Sequence, residues 1–463
     1  MEIVLNDGTN IIKRGSLAQV VADNLGANSI GGFVESFVAN YLCNTCLTSR
    51  TDFQRCNVAD NCQMRNRENY EEHLQLLTED PQSVPLHGIK CACPLNQSRY
   101  FNITTKHSPD IMHDILEGLG KMECKLVLSQ LIFQDKLFSI DILNARITNF
   151  DYGFEDVKNK PSTINCGTLH ITDSNLKNSA SQMWCLLRFL PLLIGDKVPR
   201  NHAHWQLLLK LRQIMDIVFA REITEGMCHY LKYLIKDYHF LFQNLFLDIN
   251  LIPKHHFIIH YPNALMEVGP IINCWSMRFE AKHYFGKLIA GVVCNFKDIC
   301  YTIAERHQIQ QCHEWHSTKM QEYFAKKFSA VKVFETECKD LILEKFPGLF
   351  EQGEIYFTAK ASIYGTEYRA GMIVVTDMFN NLPLFGEIQS IFIFGDTPYI
   401  FGEMLDTHHF DEHYHSYVCA KPQRAILFFV KQINLKDFHP LYVCSSYEES
   451  QDRTKYTLKN AIN

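Results

Sequence analysis

The chain has 463 residues, a formal net charge of −6, 46% hydrophobic residues and 21% charged ones. That balance excludes a disordered chain, a collagen-like chain and a polybasic nucleic-acid tail, and the length corresponds to about three domains. No apolar run reaches the roughly 18 residues of a membrane span: the richest stretch, Trp184 to Ile194, is broken by Arg188 and Pro191.

The opening, MEIVLNDGTN, has neither the basic start nor the apolar core of a secretory signal. With 17 Cys, an odd number, and 21 His, the expectation is a non-secreted chain whose thiols stay reduced, a minority of them in metal sites. Ser16–Ala22 reads as a short apolar strand that ends at Asp23, followed by loop chemistry in Asn24, Gly26, Gly31 and Gly32. A helix is expected from about Phe33 to Leu42. Residues 47–108 carry little periodicity and many Cys, Asn and Arg, and read as an irregular, metal-pinned segment. From Asp110 to about Asn250, apolar stripes at three-to-four spacing predict helices: Met112 to Leu131, Trp205 to Val218 and Ile223 to Leu245. Pro253–Pro262, PKHHFIIHYP, is a short apolar element between prolines. The helical pattern resumes from Phe279 to Ile303, with Glu280 in the first turn, where a carboxylate suits the positive end of the dipole. Beyond about residue 335 the runs become short, β-branched and aromatic, as in Ile373–Val375, Pro383–Phe394, Tyr399–Met404, Tyr414–Cys419 and Ala425–Val430, with a turn at Phe394-Gly395-Asp396. They predict a small β-barrel or β-sandwich over residues 355–446. There is no fixed-period repeat.

Several constellations could carry chemistry. Cys43 and Cys46 form a CxxC, and two thiolates at that spacing reach one tetrahedral metal. Cys56 and Cys62 follow, so this segment could hold a local four-cysteine site; buried inert thiols are the alternative. His255, His256 and His260 form the second constellation. His256 and His260 share a face if the segment is helical; satisfied core histidines are the alternative. Joined, CxxC and HxxxH would make one Cys₂His₂ zinc site closed over roughly 200 residues, far longer than in a zinc finger. Asp23, Asp110 and Glu280 stand at element ends, where two-metal phosphoryl-transfer enzymes place Mg²⁺ ligands, although helix caps and solvated charges are the commoner use. His113 could orient such an acid or bond a core carbonyl. Arg278 and Lys282 flank Glu280 and could meet phosphates or form surface pairs. A late group, His408, His409, His413 and His415, places 413 and 415 on one strand face, as metal ligands or as surface histidines.

In this order the motifs resemble the transposase core of the CACTA (EnSpm-like) DNA transposons, within the ribonuclease-H-like DDE transposases that include the V(D)J recombinase core. VVADNLGANS, with Asp23, resembles the segment of the second catalytic carboxylate. Cys43 and Cys46 match the group's CxxC, and Asp110-Ile-Met-His113 followed by DILEG matches its D(2)H element. His256-Phe-Ile-Ile-His260 matches its HxxxH, and Trp275-Ser-Met-Arg-Phe-Glu280 the segment of the third acid. The resemblance covers about residues 14–310 and is closer still to animal transposase-derived proteins with MHDxLEG and MRFEAKH signatures, whose C-terminal β region is similar to an SH3-type or BAH-like barrel.

The resemblance implies an α+β chain. Residues 1–109 would be an incomplete ribonuclease-H-like core with the CxxC segment, and 110–252 a helical insertion. Residues 253–335 would carry the HxxxH segment and closing helix, and 336–463 the small β-barrel-like domain and tail. It also implies structural zinc on Cys43, Cys46, His256 and His260. In the family the first catalytic Asp lies several dozen residues before the second. Here 22 residues precede Asp23, and Glu2 and Asp7 lie outside the motif context. Asp23 and Glu280 are therefore expected to be vestigial or partial and to hold Mg²⁺ weakly, unless upstream sequence supplies the first Asp. The implied protein is a catalytically inactive, nuclear DNA- or chromatin-associated derivative, otherwise cytoplasmic, able to form homo-oligomers and without a membrane span. The alternatives are a fragment of an active Mg²⁺-dependent DDE transposase and a zinc-stabilised protein-interaction scaffold.

Overall fold

The structure is a computed structural model that describes residues 2–4, 10–12, 15–170, 175–316, 323–324, 329–336, 339–346, 354–394, 397–441 and 454–458. It is a mixed α+β molecule: helices dominate the described residues up to 316, and antiparallel sheets follow.

The N-terminal part departs most from the sequence reading. Glu2–Val4 and Asn10–Ile12 form a short hairpin. Ser16–Ala22 is not a strand; Val20 alone makes a parallel bridge to His107, with its N–H on Lys106 O at 2.7 Å. Ser16, Leu17 and Ala18 face solvent and Val20 alone is buried, so no flanking strand rewards an extended ladder. The helix comes earlier than expected, at Asn24–Gly31, and residues 33–42 form turns. Its weak helix formers are offset by caps at both ends: Asp23 bonds the Gly26 N–H, and Gly32 takes the left-handed conformation with φ 73°. Any side chain at Gly32 would also strike Cys91 O, 1.9 Å from an added Cβ. Inside the irregular 47–108 segment, Arg67–Glu79 is an unforeseen helix, started by a reciprocal Asn66–Asn69 capping box. No ribonuclease-H-like sheet is formed among the described residues of this half.

The predicted stripes are buried. Residues 112–134 form one continuous helix whose middle, Gly120–Ser129, is α-wound. Its ends, Met112–Leu119 and Gln130–Gln134, are wound with wider, π-type turns. Ile115, Leu116, Leu119, Val127 and Leu131 are sealed against Ala180–Ile194, Ala203–Val218 and Glu225–Leu245. Ala180–Ile194 is apolar on nearly every side because neighbours surround it.

In the C-terminal part, the thirteen-residue strand Leu382–Phe394 is the spine. Thr397–Met404 pairs along one edge of it and carries Leu427–Val430 beyond. The other edge takes Ile373–Phe379 on its first half and Glu354–Thr358 on its second. Ser329–Lys332 pairs with Glu354–Thr358, so this region begins before the expected boundary at 335. Asp437–Leu441 completes the sheet, and two three-stranded sheets accompany it. The outer strands carry no further ladder among the described residues. Gly395 and Asp396, read as a turn, lie outside the described residues.

The turn between Asp411 and Ser416 docks the β region onto the helices. Trp205 donates its indole N–H to His413 O at 3.2 Å, and the His413 ring bonds Gly195 O at 2.8 Å. His415 meets Asp216 at 2.5 Å, and Arg200 clamps Asp411 at 3.1 and 3.3 Å. His413 and His415 are thus joint residues, while His408 and His409 are exposed on Asp406–Asp411.

Candidate metal centre and the acid–imidazole site beside it

The CxxC lies in a bend that leads into an isolated antiparallel bridge. Cys46 bridges to Met64, Leu47 N–H bonds Gln63 O at 2.8 Å and Arg65 N–H bonds Thr45 O at 2.9 Å. This bend turns the Thr45 N–H onto Cys43 Sγ at 3.3 Å, a contact that favours thiolate. Two short helices, Pro253–Ile258 and Tyr261–Val268, hold the histidines: His256 lies in the last turn of the first, and His260 opens the second. The two rings therefore approach from one side.

Cys43, Cys46, His256 and His260 are all buried, and their ligand atoms lie within 4.8 Å of one another. Cys43 Sγ is 3.7 Å from His260 Nε2, and Cys46 Sγ is 3.2 Å from His256 Nε2. A tetrahedral zinc with ordinary bond lengths has S···N edges of about 3.6 Å, so the four atoms fit one ion of that size. Both imidazoles present Nε2 to the thiols, and their buried Nδ1 atoms lack a partner. Burial pushes the Cys43 thiol up, but the hydrogen bond from Cys46 and the charges of His260 and His256 outweigh it and hold Cys43 well below the usual thiol range. Cys46, whose proton is shared with Cys43, is pushed up. A metal would displace that second proton.

The structure also separates the ligands from their neighbours. His255 faces the helix Glu225–Leu245: its ring stands 4.7 Å from Phe242, and its Nδ1 accepts the Ile252 N–H at 3.1 Å. Cys56 and Cys62 lie against each other, with sulfurs 2.9 Å apart; neither is one of the four clustered ligands, although Cys62 also bonds Cys46.

Nearby, three of the four acid and histidine positions of the catalytic motifs meet. Asp110 is 1% exposed and precedes the π-wound Met112–Leu119 turns. Its Oδ1 accepts the N–H groups of Met112 at 3.2 Å and Ser276 at 3.1 Å, and its Oδ2 meets His113 Nδ1 at 2.5 Å. The opposite nitrogen of His113 faces Glu280 at 3.5 Å and Glu117 at 3.8 Å. The hydrogen bond that His113 donates to the Asp110 carboxylate holds the His113 pKa above the usual imidazole range despite partial burial. Burial acts upward on Asp110, but His113 and Ser276 hold its carboxyl below the usual range. The Lys254 ammonium donates to the His113 carbonyl.

Asp23 does not join this group. Its carboxylate accepts the Gly26 N–H at 2.6 Å, and among the described residues no hydrogen bond or ion pair links it to Glu280, Asp110 or His113. The link runs through the next residue, since Asn24 donates to Asp114 Oδ1 at 2.7 Å while Tyr261 donates to Oδ2 at 2.8 Å. Burial pushes Asp114 up to about 6 against those two donors. Asp114, Ser276, Glu117 and Tyr261 were not singled out from the sequence; Asp114 stands beside His113 in the same motif and was masked by it. Arg278 and Lys282 are exposed on Ser276–Val293, Asp7 lies outside the described residues, and so does the Glu2 side chain. A cleft of about 230 Å³ is lined by Asn24, Asn44, Arg65, His107, Asp114 and His260. No protein-family model matches the chain, and no curated protein matches it.

Proposed function

We propose that this chain is a transposase-derived nuclear protein that binds DNA or chromatin without cutting it. It would be built from a degenerate ribonuclease-H-like core, a helical insertion and an SH3- or BAH-like β region around a structural zinc. One observation carries the reading: Asp110, His113 and Glu280, distant in sequence, converge beside the Cys₂His₂ cluster, while Asp23 is spent on a helix cap. That combination fits a catalytic centre whose frame persists and whose metal-binding carboxylates are no longer assembled. The His113 ring stands between Asp110 and Glu280 and engages carboxylates that a two-metal centre would need for its cations. The four-ligand cluster fills a tetrahedron and leaves no open position for substrate, as in structural zinc sites.

The test is cleavage and strand transfer on duplex DNA with Mg²⁺ or Mn²⁺, run alongside binding titrations at two salt concentrations. The expected result is salt-sensitive binding without cleavage. Robust cleavage that disappears in Glu280→Gln would overturn the proposal and favour a fragment of an active transposase. A second reading, a zinc-stabilised protein-interaction scaffold, is favoured by the hairpin of Ser276–Val293 and Ile299–His316, which exposes Phe279, Tyr284, Leu288, Val292, Phe296, Tyr301 and Ile309. Absence of DNA and nucleosome binding by the zinc-loaded chain would select it.

A further inference from the structure

We propose that Cys56 and Cys62 form a reversible disulfide site distinct from the metal ligands. Their sulfurs are 2.9 Å apart, inside van der Waals contact, and a bond at about 2.04 Å needs an approach of under about 1 Å. Local turns fix both positions: the Cys56 N–H closes Asp52–Arg55 onto Phe53 O at 3.3 Å, and the Cys62 N–H closes Ala59–Asn61 onto Ala59 O at 2.9 Å. Both thiols rest on the same carbonyl, Val58 O, at 3.5 and 3.9 Å. Side chains hold the segment down from outside: Gln54 exchanges hydrogen bonds with Leu251 at 2.8 and 2.9 Å, and Gln243 donates to Gln54 O at 2.7 Å. The pair is thus set up by two turns and an anchored loop. Neither thiol is one of the four clustered ligands, although Cys62 also bonds Cys46, so the proposal rests on the Cys56–Cys62 approach and the turns that fix it.

The oxidant is a small disulfide such as glutathione disulfide. Cys62, the more accessible of the two, attacks one sulfur of that disulfide as thiolate; a mixed disulfide forms and one glutathione thiolate leaves. Cys56 then attacks the Cys62 sulfur, the intramolecular bond forms, and the second glutathione leaves. Both thiol protons end on the two released glutathiones, which carry the two electrons. The loop so locked covers the metal ligands on one side, where the Phe53 ring stands 5.8 Å from the His256 ring.

The experiment uses the full-length, zinc-loaded chain, equilibrated with glutathione disulfide, quenched with N-ethylmaleimide and digested with trypsin. Cleavage after Arg55 and Arg65 puts both cysteines on one peptide, residues 56–65, so the bond is read as loss of two hydrogens and of both alkylation sites. The expected result is near-complete closure, reversal by dithiothreitol and zinc unchanged at one per chain. Cys56→Ser should leave a stable glutathione adduct on Cys62. Full alkylation of both thiols after oxidation overturns the proposal. So does a bond from Cys62 to Cys46 with loss of zinc, or a second zinc per chain that Cys56→Ser removes. The wild-type peptide decides the question even if the variant fails to fold.

Discussion

His113 shows how one imidazole can hold two elements together. Its Nδ1 is committed to Asp110 at 2.5 Å and its other nitrogen faces Glu280, on a helix 163 or more residues away along the chain. Because the folded-state pKa of His113 is raised, its contribution to stability is complete below about 6.5 and lost as pH rises through the raised value. Asp110 is depressed, so its contribution is present above about 3.8 and lost as pH falls through the lowered value. Stability from the pair should therefore peak between those limits. Asp110→Asn should remove both slopes and cost about 3 kcal/mol, as read from urea melts at acidic, neutral and alkaline pH. Asp114 has the opposite sign. Burial raises it to about 6, so the folded state holds its proton longer than the unfolded chain, and stability declines as pH rises from about 4 towards 6. Asp114→Asn should flatten that decline. It should also cost about 1–3 kcal/mol near neutrality, since an amide opposes a donor to one of the two donors, Asn24 and Tyr261. At this scale the sequence singled out Asp110 and Glu280 as acids at element ends and His113 through the D(2)H resemblance, but on the same footing it singled out Asp23, which caps a helix. The sequence hid Asp114 and Ser276, whose roles come from tertiary contacts alone.

Among the elements, legibility followed the strength of the physical signal. The long apolar stripes of 112–134, Ala203–Val218 and Glu225–Leu245 could be read because burying a continuous stripe leaves one solution. Asn24–Gly31 and Arg67–Glu79 could not, since the first is made by its caps and the second buries only Tyr70 and His73. His413 and His415 were misleading for a related reason: their rings bond Gly195 O and Asp216 at the joint. That joint is tightly packed, with the Tyr414 ring 2.6 Å from where a Gly195 Cβ would stand. Gly195→Ala should displace Tyr414, destabilise the chain by about 1–3 kcal/mol and increase proteolysis near residue 412, while the zinc content stays unchanged. The metal centre gives the complementary result. Cys43→Ser and His260→Ala should each lower zinc from one per chain towards none, and chelation should lower the melting temperature of wild-type chain but not of these variants.

At the scale of the whole molecule, the α+β character and the strand-rich C-terminal region were legible in the sequence, because residue type changes abruptly after about 335. The path of the sheet was not. Leu382–Phe394 carries different partners on its two halves, and Ser329–Lys332 enters from before the change in composition. Pairing of this kind depends on distant segments whose register no local pattern records. The Cys₂His₂ cluster was a long-range feature that spacing did suggest, because two thiols at CxxC and two imidazoles at HxxxH can each reach one tetrahedral ion.

The separation of its two halves sets a timetable. Cys46 and His256 are 210 residues apart, and Cys43 and His260 are 217. During synthesis at about 5–20 residues per second, the thiols leave the ribosome roughly 10–40 s before the imidazoles exist. For that interval the nascent chain holds a cysteine pair with no clasp to close, open to oxidation or to a borrowed ion. A chain stopped before residue 256 could never complete the set.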